Sequence, residues 1–221
     1  MTDSANIATD LFSSGGGQGE VFITGHSIIR NGAVEKDGHL VWKEVSAQHT
    51  GDFLVSAYRQ MGLSYPKFFK MDNLSKLGLL ASENLLSGTD LKGKYKTDEI
   101  SVVFANASSS LDADQKYFDT IKDIASPALF VYTLPNIVIG EICIKNGFKG
   151  ENAFFVFDKF EAKFLHQYVQ TLMRQKTNKA CIFGWLELLG DSYEAALFLL
   201  EKEAADKTNP FTLENIYKLY S

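Results

Sequence analysis

A chain of 221 residues with 45% hydrophobic side chains is long enough for one domain with a full core. An aromatic share of 13%, led by Phe, with Gly and Pro not in excess, points away from disordered and fibrous classes. The formal charge of −5, with both signs interspersed, argues against nucleic acid or an anionic membrane as the main partner.

Residues 1 to 18, MTDSANIATDLFSSGGGQ, are small, polar and Gly-rich, and predict a flexible arm ahead of a domain over 19–221. The glycines do not make a phosphate loop, because they precede a strand and no Lys-Ser/Thr follows them. No charged-then-apolar leader is present and no apolar run approaches the about 18 residues that span a bilayer, so the expectation is a cytoplasmic protein without membrane insertion. EVFITGHSIIRNG (20–32) reads as a strand ending in an Asn-Gly turn, with HLVWKEV from His39 as its hairpin mate. Asp52 is placed to cap a helix over FLVSAYRQMG, and Asp72 a second over NLSKLGLLASENLLSG, where Leu74, Leu77, Leu80 and Leu85 follow helical spacing.

DEISVVFANA (98–107) is a near-continuous apolar run of the kind buried on both faces of a sheet, and predicts a central strand. A Ser-rich turn leads to a helix from Asp112 to about Ile124, and LPNIVIGEICIKNG predicts another that starts near Pro135. Strand AFFVF (153–157), a helix from about Lys159 to Gln175 and strand ACIFGWLELL (180–189) follow. YEAALFLLEKEA fits either type by periodicity, and PFTLENIYKLY predicts a short terminal helix. Cys143 and Cys181 lie within apolar runs without metal-ligand spacing, so free buried thiols are expected, with no disulfide, metal or cofactor. Alternating strands and helices give an α/β layered domain with a largely buried sheet.

Several stretches, in order, resemble the N-terminal half of the β-ketoacyl synthases, the condensing enzymes of fatty-acid and polyketide synthesis. VFITGHSII resembles their opening strand, KFFKMDNLSKLGLLASENLL their Met-Asp-x-x-Ser-x-Leu helix, and VVFANASSSLDADQKYF their second strand and its Ser-rich exit. SPALFVYTLPNIVIGEICIKNGFKGEN is similar to the family's Ser-Pro, Leu-Pro-Asn and Gly-Pro-Asn series, with Glu151 in place of the Pro. The resemblance runs from about Glu20 to Lys202 and implies one half of a thiolase-like unit, with a five-stranded mixed sheet covered by helices. It also makes AALFLLEKE a strand.

In that family the nucleophilic Cys sits at the start of the helix after the Gly-Pro-Asn strand, where the helix N-terminus stabilises a thiolate. Counting from Gly150-Glu151-Asn152 places Lys159 there, which cannot form a thioester. The family's second half, which supplies two His and a Lys, has no counterpart in the matched stretch, and His26, His39, His49 and His166 match none of its motifs. Asp158 and Glu161 flank Lys159, an arrangement that keeps a Lys protonated rather than nucleophilic, and Phe160, Glu161, Lys163 and Phe164 add bulk where the family has small residues. The resemblance therefore implies a catalytically inactive subunit of the chain-length-factor type, like the truncated partners of aryl polyene and flexirubin-type pathways. Such a subunit pairs with a full-length β-ketoacyl synthase and meets acyl carrier protein only indirectly. The alternatives are a stand-alone acyl-thioester enzyme or an acyl-binding homodimer that uses the vestigial site. On the leading reading Phe130, Tyr132, Leu134, Asn136, Phe154, Phe155 and Val156 form the partner interface, with AFFVF pairing antiparallel to its counterpart. Tyr117, Phe118 and Ile121 then floor the partner's acyl tunnel.

Overall fold

The computed structural model describes residues 20–44, 46–47, 49–204 and 209–221. The arm expected over 1–18 lies outside them. One mixed sheet of seven strands organises the chain, in the order β3-β2-β1-β7-β6-β4-β5. The strands are β1 (Phe22–Arg30), β2 (Ala33–Lys36), β3 (His39–Lys43), β4 (Ile100–Asn106), β5 (Asn152–Val156), β6 (Ala180–Leu189) and β7 (Ser192–Glu201). β4 runs parallel to β5 and β6, and every other pairing is antiparallel.

The sheet is wider than the five strands expected, and the excess lies at its N-terminal end. Asn31-Gly32 (φ 51° and 73°) and Asp37-Gly38 (φ 51° and 77°) are both left-handed pairs suited to two-residue hairpin turns. The mate of β1 is therefore β2, and the HLVWK segment pairs with β2 rather than with β1. The second turn signal, Asp-Gly, is as strong as the first and splits the segment into a three-strand meander.

β7 settles the ambiguity of YEAALFLLEKEA in favour of a strand. It is laddered to β1 on one side and to β6 on the other, and this double pairing outweighs the helical preference of its Ala, Leu and Glu residues. β4 is buried along its whole length, as its apolar run requires, although it stands second from an edge rather than at the middle of the sheet.

The helices are α1 (Thr50–Gln60), α2 (Asn73–Leu86), α3 (Leu91–Lys94), α4 (Leu111–Thr120), α5 (Pro127–Phe130), α6 (Ile137–Asn146), α7 (Ala162–Arg174) and α8 (Leu213–Tyr220). One sheet face packs into a core with α1, α2 and α6, and the other with α7 and α8. α2 is the central helix of the first layer. Asp72 caps it by accepting from the Ser75 amide at 3.0 Å. A Cβ on its Gly78 would stand 2.3 Å from Val138 Cγ2, so the glycine is what allows α6 to lie against it.

Three helix starts or ends differ from the sequence expectation, each for a tertiary reason. α1 is capped at His49, with Asp52 inside its first turn; Asp191, from the β6–β7 turn, accepts from the Thr50 amide at 2.8 Å and meets His49 Nδ1 at 3.1 Å. α4 ends at Thr120 instead of Ile124, because the Thr120 hydroxyl turns back to the Tyr117 carbonyl and accepts from the Ser126 amide. α7 begins at Ala162, not at Lys159. The Phe157 amide still donates to the Asn106 carbonyl at 2.9 Å, and the Phe160 ring packs against Trp185 and Tyr220, so the chain stays extended and then bends before it coils.

The His49–Asp191 pair carries a pH signature. The hydrogen bond and charge of Asp191 raise the His49 pKa above its ordinary 6.5, and the Thr50 amide together with His49 lowers that of Asp191. The raised His49 stabilises the fold fully below pH 6.5 and loses that contribution as pH climbs through its folded midpoint. A depressed carboxylate does the reverse, contributing above its ordinary 3.8 and losing it as pH falls through the lowered value. An NMR titration should therefore place the His49 midpoint above 6.5, and Asp191→Asn should bring it back towards 6.5. An unchanged midpoint in that variant would show that the pair does not form in solution.

Candidate functional site: an open sheet edge beside exposed apolar helices

The parallel ladder between β4 and β5 runs from Val102 against Asn152 to Asn106 against Val156, and β5 ends the sheet. A strand with one free side offers a row of backbone donors and acceptors to another strand. Its side chains alternate between the two cores. Phe154 packs towards the α2 layer and Phe155 towards the α7 layer, where it meets Phe164 and Tyr168, each with ring centroids at 4.9 Å. Val156 is 51% exposed.

A second exposed apolar surface comes from α4, α5 and the segments after each. Phe118 is 65% exposed and Ile124 86%, with Ile121, Phe130, Val131 and Leu134 also open to solvent. These are not side chains on a loose loop. The Ser110 hydroxyl donates to the Thr133 carbonyl at 2.9 Å, Tyr117 packs on Phe130 at 5.3 Å, and Ser126 caps α5 through the Leu129 amide. Such a concentration of well-held apolar side chains on one segment is unusual for a surface that faces only water.

Of the residues expected at a partner interface, Phe130, Leu134, Asn136 and Val156 are exposed, and Phe154 and Phe155 are half-buried. Tyr132 is turned inward, 8% exposed, with its hydroxyl 3.3 Å from buried Glu141. Its place is in the core of this chain. Of the expected tunnel floor, Phe118 and Ile121 project outward and Tyr117 is half-buried against Phe130.

Lys159 lies exposed in the bend between β5 and α7, short of the helix N-terminus and without the apolar enclosure that a Lys nucleophile needs. Phe160 and Phe164 occupy the surroundings: Phe160 stands against Trp185 and Tyr220, and Phe164 against Phe155 and Phe157. The four histidines serve four different places. His26 stacks on Phe198 at 6.5 Å, with burial lowering its pKa; His39 is exposed on β3; His49 meets Asp191; and His166 Nε2 lies 3.2 Å from the Phe211 carbonyl oxygen.

Both cysteines are free; Cys181 is fully buried and Cys143 half-buried, its thiol pushed up to about 11 by burial, so neither is poised as a thiolate. Among the described residues no cluster of His, Cys, Asp and Glu could hold a metal ion, and no helix is long and apolar enough to cross a membrane.

One contact escaped the sequence reading. Glu187, the single charge in the apolar run of β6, accepts from the Ala107 and Ser108 amides at 2.6 and 3.1 Å and so fixes the exit of β4 that launches α4. A carboxylate inside an otherwise buried strand is the available signal, though its partner cannot be read from the sequence.

No family model matches the chain, and no curated protein does. Solved structures do. "The ishigamide ketosynthase/chain length factor" superposes with a TM-score of 0.57 at 19% identity, over 86% of this chain and 64% of that one. A ketosynthase (ApeO) in complex with its chain length factor (ApeC) from Xenorhabdus doucetiae gives 0.57 at 13% identity, over 91% of this chain and 90% of that one. A β-ketoacyl synthase from Burkholderia phymatum STM815 gives 0.55 at 12%, over 82% and 59%. The chain thus spans less than two thirds of the first and last of these and nearly all of the matched Xenorhabdus chain. Its fold is the thiolase-like α/β fold found in ketosynthase and chain length factor subunits.

Proposed function

We infer that this protein is a non-catalytic ketosynthase-like subunit, active in the cytoplasm, that pairs through β5 with a full-length β-ketoacyl synthase and helps to shape the acyl tunnel of that partner. The observation that carries the reading is the open edge of β5 on the same chain as the exposed apolar segment Phe118–Leu134. Support also comes from the fold, since two of the matched structures are described as ketosynthase and chain length factor assemblies. Extending the sheet across the edge would satisfy the free backbone groups of β5, and covering the apolar segment would build an interface of the obligate kind, of order 2,000 Å². Acyl carrier protein would then engage the partner and meet this chain only indirectly.

Co-expression with a ketosynthase encoded nearby should yield a 1:1 complex by native mass spectrometry. Val156→Asp should abolish it, because the side chain is exposed in the free subunit and a charge there would enter a dry interface. Val156 is a cleaner probe than Phe155, whose ring is part of the internal packing. A folded chain that ignores the synthase and forms homodimers would favour the acyl-binding alternative instead.

If α4 floors the tunnel, Phe118→Ala should lengthen the products of the complex by about one or two extension units. Analysis of product length by mass spectrometry decides this. Unchanged products from an intact complex would remove α4 from that role while leaving the pairing untouched.

The non-catalytic part of the reading rests on the resemblance, which sets Lys159 where the family has its Cys, and is supported by the exposure of Lys159 in the bend ahead of α7. Incubation with acyl-thioester donors should leave Lys159 unmodified by peptide mass spectrometry. A stoichiometric acyl adduct on Lys159 would overturn it.

A further inference from the structure

The stretch FVYTL, Phe130 to Leu134, places four large hydrophobic side chains on one short segment, and a single one of them enters the core. That one is Tyr132. Phe130 and Leu134 are more than half exposed and Val131 is close to half, although Phe, Leu and Val are buried more readily than Tyr. Hydrophobicity alone would choose differently.

The choice is made by Glu141. It is 4% exposed and stands on α6 in an otherwise apolar run, IVIGEICI, where one of its oxygens accepts from the Tyr132 hydroxyl at 3.3 Å. The other oxygen, Oε2, is buried without a hydrogen bond among the described residues and lies 2.7 Å from the ammonium of exposed Lys67. Charge, not a directed bond, holds it there. One carboxylate thus joins α6, the short helical turn Pro66–Lys70 and the chain after α5. Burial, together with the charges of Glu141 and Asp72, raises the pKa of the Tyr132 phenol, which stays a donor. A leucine of similar volume would fill the position of Glu141, and such replacements of buried ion pairs are often neutral or stabilising. Bulk stability does not account for the glutamate.

We propose that Glu141, paired with Lys67, is a positioning residue that selects Tyr132 over its neighbours for the core and so fixes which side chains the segment turns outward. The tight turn around Tyr132 carries that choice to both sides: the Tyr132 amide donates to the Leu129 carbonyl at 3.0 Å, the Thr133 amide to the Phe130 carbonyl at 3.1 Å, and the Ser110 hydroxyl to the Thr133 carbonyl. Phe130, Val131 and Leu134 are left on the outside. A surface already held in one arrangement loses less freedom on association, so the device pre-organises the exposed apolar segment. That consequence rests on the pairing inferred above, whereas the selection of Tyr132 concerns this chain alone.

The full chain carrying Glu141→Leu should melt at or above the temperature of the parent. Its amide exchange at Tyr132 and Thr133 should nevertheless rise at least tenfold, and nitration of Tyr132 by tetranitromethane at least fivefold, with β6 and β7 protected as before. Adding Tyr132→Phe to Glu141→Leu should return the exchange at 132 and 133 to the parental rate, because no hydroxyl is then left without a partner. Parental exchange and nitration in Glu141→Leu, or a rise spread evenly over the sheet, would overturn the proposal. Should Glu141→Leu not fold, Tyr132→Phe alone keeps the ring and breaks the same contact; a local rise in exchange at Thr133 would support the proposal and parental exchange would overturn it. In the complex with a co-expressed ketosynthase, Glu141→Leu should weaken binding at least tenfold, and unchanged affinity beside raised exchange would overturn the pre-organising role. A parent chain that pairs with no synthase would end the pairing reading and leave the exchange result intact.

Discussion

The structure depends on the double pairing of β7. This strand joins the N-terminal meander to the β6-β4-β5 block, and its side chains feed both cores: Leu197 and Leu199 on one side of the sheet, Phe198 and Leu200 on the other. A strand buried on both faces must satisfy every backbone polar group through its neighbours, and β7 does so along nearly its whole length. Once it is in place the sheet has two ends. Both end strands have five residues: β3 carries His39 and Lys43 around exposed Leu40 and Val41, and β5 carries Phe154, Phe155 and exposed Val156.

The β5 end differs from the β3 end in running parallel to its neighbour and in carrying two adjacent phenylalanines. Phe154, Phe155 and half-exposed Val156 leave that edge fit to be covered. The segment after β5 is held by aromatic contacts, Phe160 against Trp185 and Tyr220 and Phe164 against Phe155 and Phe157. α7 starts beyond the bend that bears exposed Lys159, and the space around that bend is held by Phe160 and Phe164.

Much of the layout was legible because it is written in local patterns. The unbroken apolar run of β4, the leucine spacing and Asp72 cap of α2, and the Asn-Gly after β1 all specify their own structure within a few residues. What escaped depends on partners far away in sequence. Asp191 caps α1 from 141 positions along the chain, and Glu187 anchors the exit of β4 from 80 positions away. β7 itself was undecided between helix and strand until the resemblance was weighed, since Ala, Leu and Glu say one thing and two ladders another. Of the candidate site, the open aromatic strand was visible in the sequence; the inward turn of Tyr132 was not, because the hydroxyl of a tyrosine within an apolar stretch finds Glu141 only after α6 has formed.

The ladder between β1 and β7 also sets a timetable. Thr24 donates to Glu201 across 177 residues, while β1, β2 and β3 turn back on one another within a few. Hairpins of that kind close in about 1–10 μs, but a pairing as distant as β1 with β7 must wait for the loop between them to be ordered. During synthesis the meander therefore emerges with one edge bare until nearly the whole sheet has followed it, a long interval in which any other extended strand is a competitor. The open edge of β5 is made late and adjoins β4, so it becomes a template only shortly before the rest of the sheet is complete. The order of the strands along the chain thus keeps brief the interval in which that edge stands beside an unfinished sheet.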